Sequence, residues 1–344
     1  MNSRNSVRAM AGALIIFGAA TFVSCDERNE ADIPAVVYSL KHNIVTAGVA
    51  LNVDLKDNLL GVAAASSGTY VYDIANIAAP AEVFHYEQVS DFYSSHVAID
   101  VLNGLVMTGS EPSGAPGDKY PIHSLSSGLR IGASSFSGPL DEMIVVSTTS
   151  RFDVWATDTT PNDGFTVSSY CYDEDAMRFL PNCVQDRFGF ANSNVRARGF
   201  GKNGDIFAVA MANFLIAVHD IRVQALPREV LVPGDPYDCA WYGDYILVAD
   251  NLFLTVVNAT NIDSPSVVKT LTIPGADRLQ RIVVDGSYAV LLDDADGVYI
   301  VDVSTPTNPK HVQSISLPEP TSISSSNGTL AVSDEQLGVL IYQR

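Results

Sequence analysis

Residues 297–309 read GVYIVDVSTPTNP, a β-branched run that passes straight into a Ser-Thr-Pro-Thr-Asn-Pro turn. Pro309 follows Asp302 at a spacing of seven, and Val312 comes three residues later. The same spacing joins Asp73, Pro80 and Val83; Asp220, Pro227 and Val230; and Asn258, Pro265 and Val268. Recurrence of one spacing along a chain is the mark of a repeat architecture, and it decides the fold before any single segment does.

The clearest unit spans Arg281 to Leu317. "RIVVDG", "SYAVLLDD", "VYIVDVS" and "KHVQSISL" read as four strands joined by hairpin turns. Gly297 supplies the positive φ of the turn before the third strand. Asp302 offers a short carboxylate to the peptide N–H groups of the next turn, and Pro309 presets φ ahead of the outer strand. Four-stranded units at intervals of roughly 40 residues predict an all-β protein, a β-propeller. The units containing Pro80, Pro227, Pro265 and Pro309 are the firm blades. Two more fit between Pro80 and Pro227, over His96 to Ser126 and Leu129 to Tyr172, with an insertion near 173–194. The final unit ends at Arg344 after its third strand, and "IPAVVYSL" near the N-terminus again reads P-x-x-V. The N-terminal strand is therefore expected to complete the last blade and close the ring, which removes a sheet edge. The count is seven; six is the alternative, because the second and third blades lack the Asp and Pro landmarks.

Arg4 and Arg8 precede the apolar run Met10–Val23, which is too short for a comfortable membrane span. A basic start, a short apolar region and a small residue before the cut describe a secretory signal over 1–24. The ending "FVSC" resembles a bacterial lipobox, with Cys25 as the acylated residue. Residues 25–33 then read as a lipidated Cys and a solvated tether, and 34–344 as a single propeller domain. The expected location is a bacterial membrane, on its periplasmic face or at the cell surface. In that oxidising setting Cys171 and Cys183 make a candidate disulfide, which would contribute about 3 kcal/mol by loop closure. Cys239 sits in a strand-like run and reads as a small buried apolar residue.

The stretch GVYIVDVSTPTNPKHV resembles the LVIVD repeat of bacterial exported propeller proteins. Val298, Tyr299, Ile300, Val301 and Asp302 match the name-giving strand, followed by Ser304, Pro306, Asn308 and Pro309. Asn258 to Pro265 and Asp73 to Pro80 are degenerate copies. The resemblance implies a propeller at the cell envelope, often on a lipoprotein, and it implies no catalytic residues.

With 39 acidic against 20 basic residues the formal charge is −19, which repels nucleic acid and anionic lipid. The chain has no H-E-x-x-H pair, no G-x-S-x-G elbow and no complete phosphate loop. Asp293 to Gly297, "DDADG", invites a calcium reading, but Leu292 stands where an EF-hand's first Asp belongs; no cofactor is expected. Met177, Phe179, Phe188 and Phe190 in the insertion are the candidate partner-binding residues, and the "GSEPSGAPGDKYP" loop from Gly109 is a second such region. The leading reading is a monomeric binding scaffold for an envelope protein or polysaccharide. A metal-assisted hydrolase or lactonase on the same fold is the alternative, and a purely structural envelope protein is a third.

Overall fold

The computed structural model describes residues 36–87, 92–112, 120–134, 140–148, 151–158, 165–173, 178–188, 196–220, 222 and 227–344. Cys25 and the signal-like segment lie outside them, as do Met177 and Phe190. Among the described residues there is no helix, so none that could cross a membrane.

Among the described residues, every strand belongs to one of seven four-stranded antiparallel sheets. β1 (Ser39–Ile44) is set apart from its neighbours in sequence. The first sheet holds β2 (Asn52–Lys56), β3 (Leu59–Ala63), β4 (Thr69–Asp73) and β5 (Ala81–Tyr86). The second holds β6 (Phe92–Asp100), β7 (Leu105–Pro112), β8 (Tyr120–Ser124) and β9 (Arg130–Ser134). The third holds β10 (Leu140–Thr148), β11 (Arg151–Asp158), β12 (Phe165–Asp173) and β13 (Arg178–Phe188). The fourth holds β14 (Ala197–Asn203), β15 (Ile206–Met211), β16 (Leu215–Asp220) and β17 (Arg228–Leu231). The fifth holds β18 (Pro236–Tyr242), β19 (Tyr245–Asp250), β20 (Phe253–Asn258) and β21 (Ser266–Thr272). The sixth holds β22 (Leu279–Asp285), β23 (Tyr288–Asp293), β24 (Gly297–Asp302) and β25 (Lys310–Ser316). The seventh joins β26 (Pro320–Ser326), β27 (Thr329–Asp334) and β28 (Gly338–Gln343) to β1, which pairs with β28.

The repeat landmark does the local work expected of it. Asp73, Asp220, Asn258 and Asp302 each end the third strand of a sheet, and each side chain accepts the peptide N–H two residues on, at 2.8–3.0 Å. That bond folds the chain toward the proline that precedes the fourth strand. Gly297 has φ +127°, and a Cβ there would lie 2.0 Å from the Ile315 carbonyl oxygen, so both backbone conformation and close approach require glycine.

Two expectations are corrected. The stretch read as an insertion, 173–194, contains β13, the fourth strand of the third sheet, paired with β12 from Phe165–Phe188 to Asp173–Arg178. β9, placed at the start of the third unit by sequence, is the outer strand of the second sheet. The reason is the same for both: neither corner carries the Asp and Pro landmark. In β13, Pro181 also breaks the strand pattern, which an edge position and the register shift beside Tyr170 accommodate. β1 begins a few residues later than the Pro34 alignment implies.

Where their side chains are described, the second and third strands of the sheets are buried almost throughout, in apolar runs such as YAVLLD and GVYIVD. They pack sheet against sheet. One apolar cluster joins the first and second sheets around Val71 and Val97. Others join the second and third, third and fourth, fourth and fifth, fifth and sixth, and sixth and seventh. A seventh joins the last sheet to the first, through Ile44, Val339 and Ile341 against Val53 and Leu60. Each buried Val, Leu or Ile contributes on the order of 1.5–3 kcal/mol.

Candidate functional site

The first strand of each sheet pairs with no other strand than the second, and its outer edge meets backbone of the preceding sheet only at isolated bridges such as Ser94–Ala65 and Leu279–Asn251. Unpaired peptide N–H groups on that edge need acceptors. The chain supplies them from the neighbouring sheet. Asn52 Oδ1 and Asp54 Oδ2 on β2 accept from Val97 N and Ile99 N on β6, at 3.2 and 2.8 Å. Glu142 Oε2 on β10 accepts from Phe200 N on β14 at 2.7 Å. Asp238 Oδ2 on β18 accepts from Ile282 N on β22 at 2.8 Å, and its Oδ1 takes Cys239 N at 2.7 Å. Ser324 Oγ on β26 accepts from Leu55 N on β2 at 2.9 Å.

These first strands surround a cavity of about 320 Å³ lined by residues from all seven of them: β2, β6, β10, β14, β18, β22 and β26. Glu142, Asp238, Arg281 and Ser322 occupy equivalent places, each just after a register shift in its strand. A bulge re-aims the side chain that follows it, which is how four unlike residues come to face one space. On β14 the chain carries glycine instead. A Cβ on Gly199 would lie 2.2 Å from Asp238 Oδ1, and one on Gly201 would lie 2.8 Å from the Cys239 carbonyl oxygen. Glu142 and Asp238 both line the cavity.

Burial pushes the Asp238 carboxyl up to about 6, against the Arg281 guanidinium and the two peptide N–H bonds, which favour its charged form. Burial likewise raises the Cys239 thiol, with Asp238 and Glu142 adding to the effect, and its Sγ lies 3.2 Å from the Ala208 carbonyl. Cys239 is thus a buried, free thiol, as its strand-like setting implies. Lys56 Nζ lies 3.4 Å from Asp54 Oδ1, and that carboxylate raises the lysine's pKa.

Of the residues singled out by sequence, the side chains of the partner-binding and disulfide candidates lie outside the described residues. Phe179 and Phe188 lie on β13, Cys171 on β12 and Cys183 on β13, with their side chains outside the described residues. Two acids of "DDADG" are engaged locally. Asp293 accepts from Asp277 N, Arg278 N and Ala295 N at 2.7–2.9 Å, and Asp294 pairs with the Arg278 guanidinium. Among the described residues no three His, Cys, Asp or Glu side chains gather as a metal site. The first-strand residues escaped notice because "NVDLK", "DEMIVV", "YDCAWY" and "TSISSS" share no motif. The one usable signal was position, a polar residue near the head of the first strand in most of the units.

Comparison with curated proteins finds no match. Among solved structures, the crystal structure of the computationally designed Ika8 protein is similar at a TM-score of 0.62 and 10% identity, covering 88% of this chain and 98% of that one. At that identity the likeness speaks to fold alone. The family model for the LVIVD repeat matches residues 278–316, which is β22 to β25 with the residue before it. The chain thus carries the LVIVD repeat within an all-β, propeller-like fold.

Proposed function

We propose that the seven sheets are the blades of a closed propeller, with β1 completing the last blade, and that the protein is a binding scaffold at the bacterial envelope. Two observations support closure: apolar clusters join successive sheets and also the seventh to the first, and one cavity touches every first strand. The signal-like segment and the "FVSC" ending support export and a lipid anchor through Cys25. The binding role rests on one observation above the rest. The carboxylates that line the cavity are spent on structure, since Asp54, Glu142 and Asp238 each accept a peptide N–H from another sheet. A hydrolase needs its carboxylates free to move protons or to hold a metal. A rigid cavity whose walls are latched together suits recognition.

The test is affinity capture. The full chain, immobilised through its C-terminus, is exposed to solubilised envelope proteins and polysaccharide, beside Ser325→Trp, a substitution at a residue of the cavity wall chosen to obstruct it. Retention by the wild type and loss by Ser325→Trp are expected. Cleavage of the retained material would favour the hydrolase, and equal retention by both forms would move the site to the outer surface, β13 included. Export and anchoring are tested separately: labelled palmitate should enter the wild type and not Cys25→Ser.

A further inference from the structure

The sequence holds three Asn-Gly pairs, at Asn103, Asn203 and Asn327. All three stand at the turn between the first and second strands of a sheet. The pairing registers put them at different places in that turn. Asn327 and Gly328 form a tight turn closed by the Ser326–Thr329 pair, with φ +51° and +80°. Asn103 and Gly104 end a longer loop closed by the Asp100–Leu105 pair. Asn203 is the last residue of β14, paired with Ile206, and Gly204 opens the tight turn beyond it.

An asparagine that precedes glycine can modify itself. The glycine peptide nitrogen loses its proton and attacks the carbonyl carbon of the asparagine side chain. A carbon–nitrogen bond forms to the peptide nitrogen, the side-chain carbon–nitrogen bond breaks, and the amide leaves as ammonia, taking the proton. Water then opens the cyclic imide at either carbonyl. The product is aspartate, or an isoaspartate whose main chain runs through the former side-chain carbon. Glycine allows the attack because it has no side chain to crowd its nitrogen. Two local conditions set the rate. The peptide N–H must be able to lose its proton, which a hydrogen bond to a carboxylate opposes by favouring the protonated form. The asparagine side chain must also be free to turn onto that nitrogen.

The fold meets these conditions differently at each site. Gly328 N donates to Asp285 Oδ1 at 3.1 Å, on a carboxylate that is itself 6% exposed. Asn103 has its side chain held, with Nδ2 donating to Asp100 Oδ2 at 2.7 Å, and Gly104 N donates to the Val101 carbonyl at 3.4 Å. At Asn203 the restraints are absent or slight. Gly204 N meets no acceptor among the described residues, and Asn203 and Gly204 are both exposed. The side chain makes one long contact, Nδ2 to the Gly243 carbonyl at 3.4 Å. Lys202 Nζ donates to the Gly204 carbonyl oxygen, and a cation there favours the deprotonated peptide. Asp205, the acid of this turn, is offset by Arg222 at 3.8 Å. We infer that Asn203–Gly204 is a self-modification site, where the folded protein converts a side-chain amide to a carboxylate, while the same dipeptide is protected at Asn103 and Asn327. The new carboxylate turns an acceptor toward the Gly243 carbonyl and so removes a contact between the fourth and fifth sheets. It also stands next to Lys202 of the cavity wall. The inference does not depend on what the cavity binds.

Peptide mapping by mass spectrometry tests this on the full chain, aged at mildly alkaline pH both folded and in urea. In the folded protein the Asn203 peptide should acquire the mass of the acid in place of the amide and split into aspartate and isoaspartate forms. It should do so roughly tenfold faster than the Asn327 peptide, the effect on a rate of one hydrogen bond to a charged group. In urea, where the hydrogen bonds of the fold are gone, the three sites should convert at similar rates. Equal rates at the three sites in the folded protein, or a lead by Asn103 or Asn327, would overturn the inference. So would an Asn203 lead that persists unchanged in urea, because the ranking would then lie in the local sequence and not in the fold.

Discussion

Tyr38 gives its hydroxyl proton to Asp285, a residue 247 positions further along the chain. The ring is 1% exposed, and its backbone is clamped at the same place, with N donating to Gln313 Oε1 at 2.9 Å and O accepting from Gln313 Nε2 at 2.8 Å. Asp285 also takes Gly328 N at 3.1 Å and lies 3.5 Å from the Arg344 guanidinium. Segments from the two ends of the described chain therefore meet on one carboxylate of the sixth sheet. Burial and the Asp285 bond together hold the Tyr38 hydroxyl protonated, well above the usual phenol range.

Tyr38→Phe keeps the ring and removes the bond, leaving a buried carboxylate oxygen short of a donor. The expected loss is about 1–3 kcal/mol in urea unfolding. Tyr38→Ala should cost more, about 3–5 kcal/mol, because the cavity adds to it. Equal stability of wild type and Tyr38→Phe would mean that the hydroxyl contributes nothing and only the ring matters.

The cavity latch at Asp238 predicts a pH dependence. Its folded pKa, about 6, exceeds the ordinary carboxylate value of 3.8, so the folded state holds this proton more tightly than the unfolded state. The stability it contributes is fully present below the unfolded value and is lost as pH rises through about 6. Asp238→Asn cannot ionise, so its stability relative to the wild type should improve between pH 4 and pH 8. Urea titrations of both proteins across this range check it. Parallel curves would show that the carboxyl titrates normally in the fold.

How much of this was legible in the sequence depended on whether a feature is local. The corner after each third strand was readable, because Asp302 reaches a donor only two residues away and Pro309 acts on its own backbone. The partner for the last unit was readable too, from the P-x-x-V of "IPAVVYSL", and β1 pairs with β28. β9 and β13 were misassigned because their corners lack those local instructions. The cavity wall was invisible for a different reason. Any short acceptor can reach a neighbouring edge N–H, so Asn52, Asp54, Glu142, Asp238 and Ser324 do the same job with different chemistry. Their partners lie on other sheets, and no spacing within a repeat records that.

His123 offers a second pH test, of opposite sign. It is 2% exposed, on β8, with the rings of Phe84 and Tyr86 against it at 5.7 and 4.3 Å. Burial lowers its pKa below the ordinary 6.5, and Arg130 adds to the effect. The unfolded state therefore binds this proton more readily, and stability falls as pH drops through about 6.5. His123→Phe removes the titration, so the stability difference between variant and wild type should grow in the variant's favour from pH 7.5 to pH 5. A difference independent of pH would place the unfolded and folded values together.

Glycine substitution separates backbone conformation from crowding. At Gly297 both act, with φ +127° and the Ile315 carbonyl oxygen 2.0 Å from an added Cβ. At Gly104 the φ is +64° and nothing lies within 4 Å of that Cβ. Gly104→Ala should cost about 1 kcal/mol, the strain of a left-handed alanine. Gly297→Ala should cost several times as much, because β25 must move away from β24 to admit the methyl group, and the corner that opens the LVIVD strand then distorts. Thermal unfolding of the two variants side by side decides it. Similar melting temperatures would mean that β25, an outer strand, yields at little cost; a much lower one for Gly297→Ala would show that this glycine fixes the pairing of β24 with its outer neighbour.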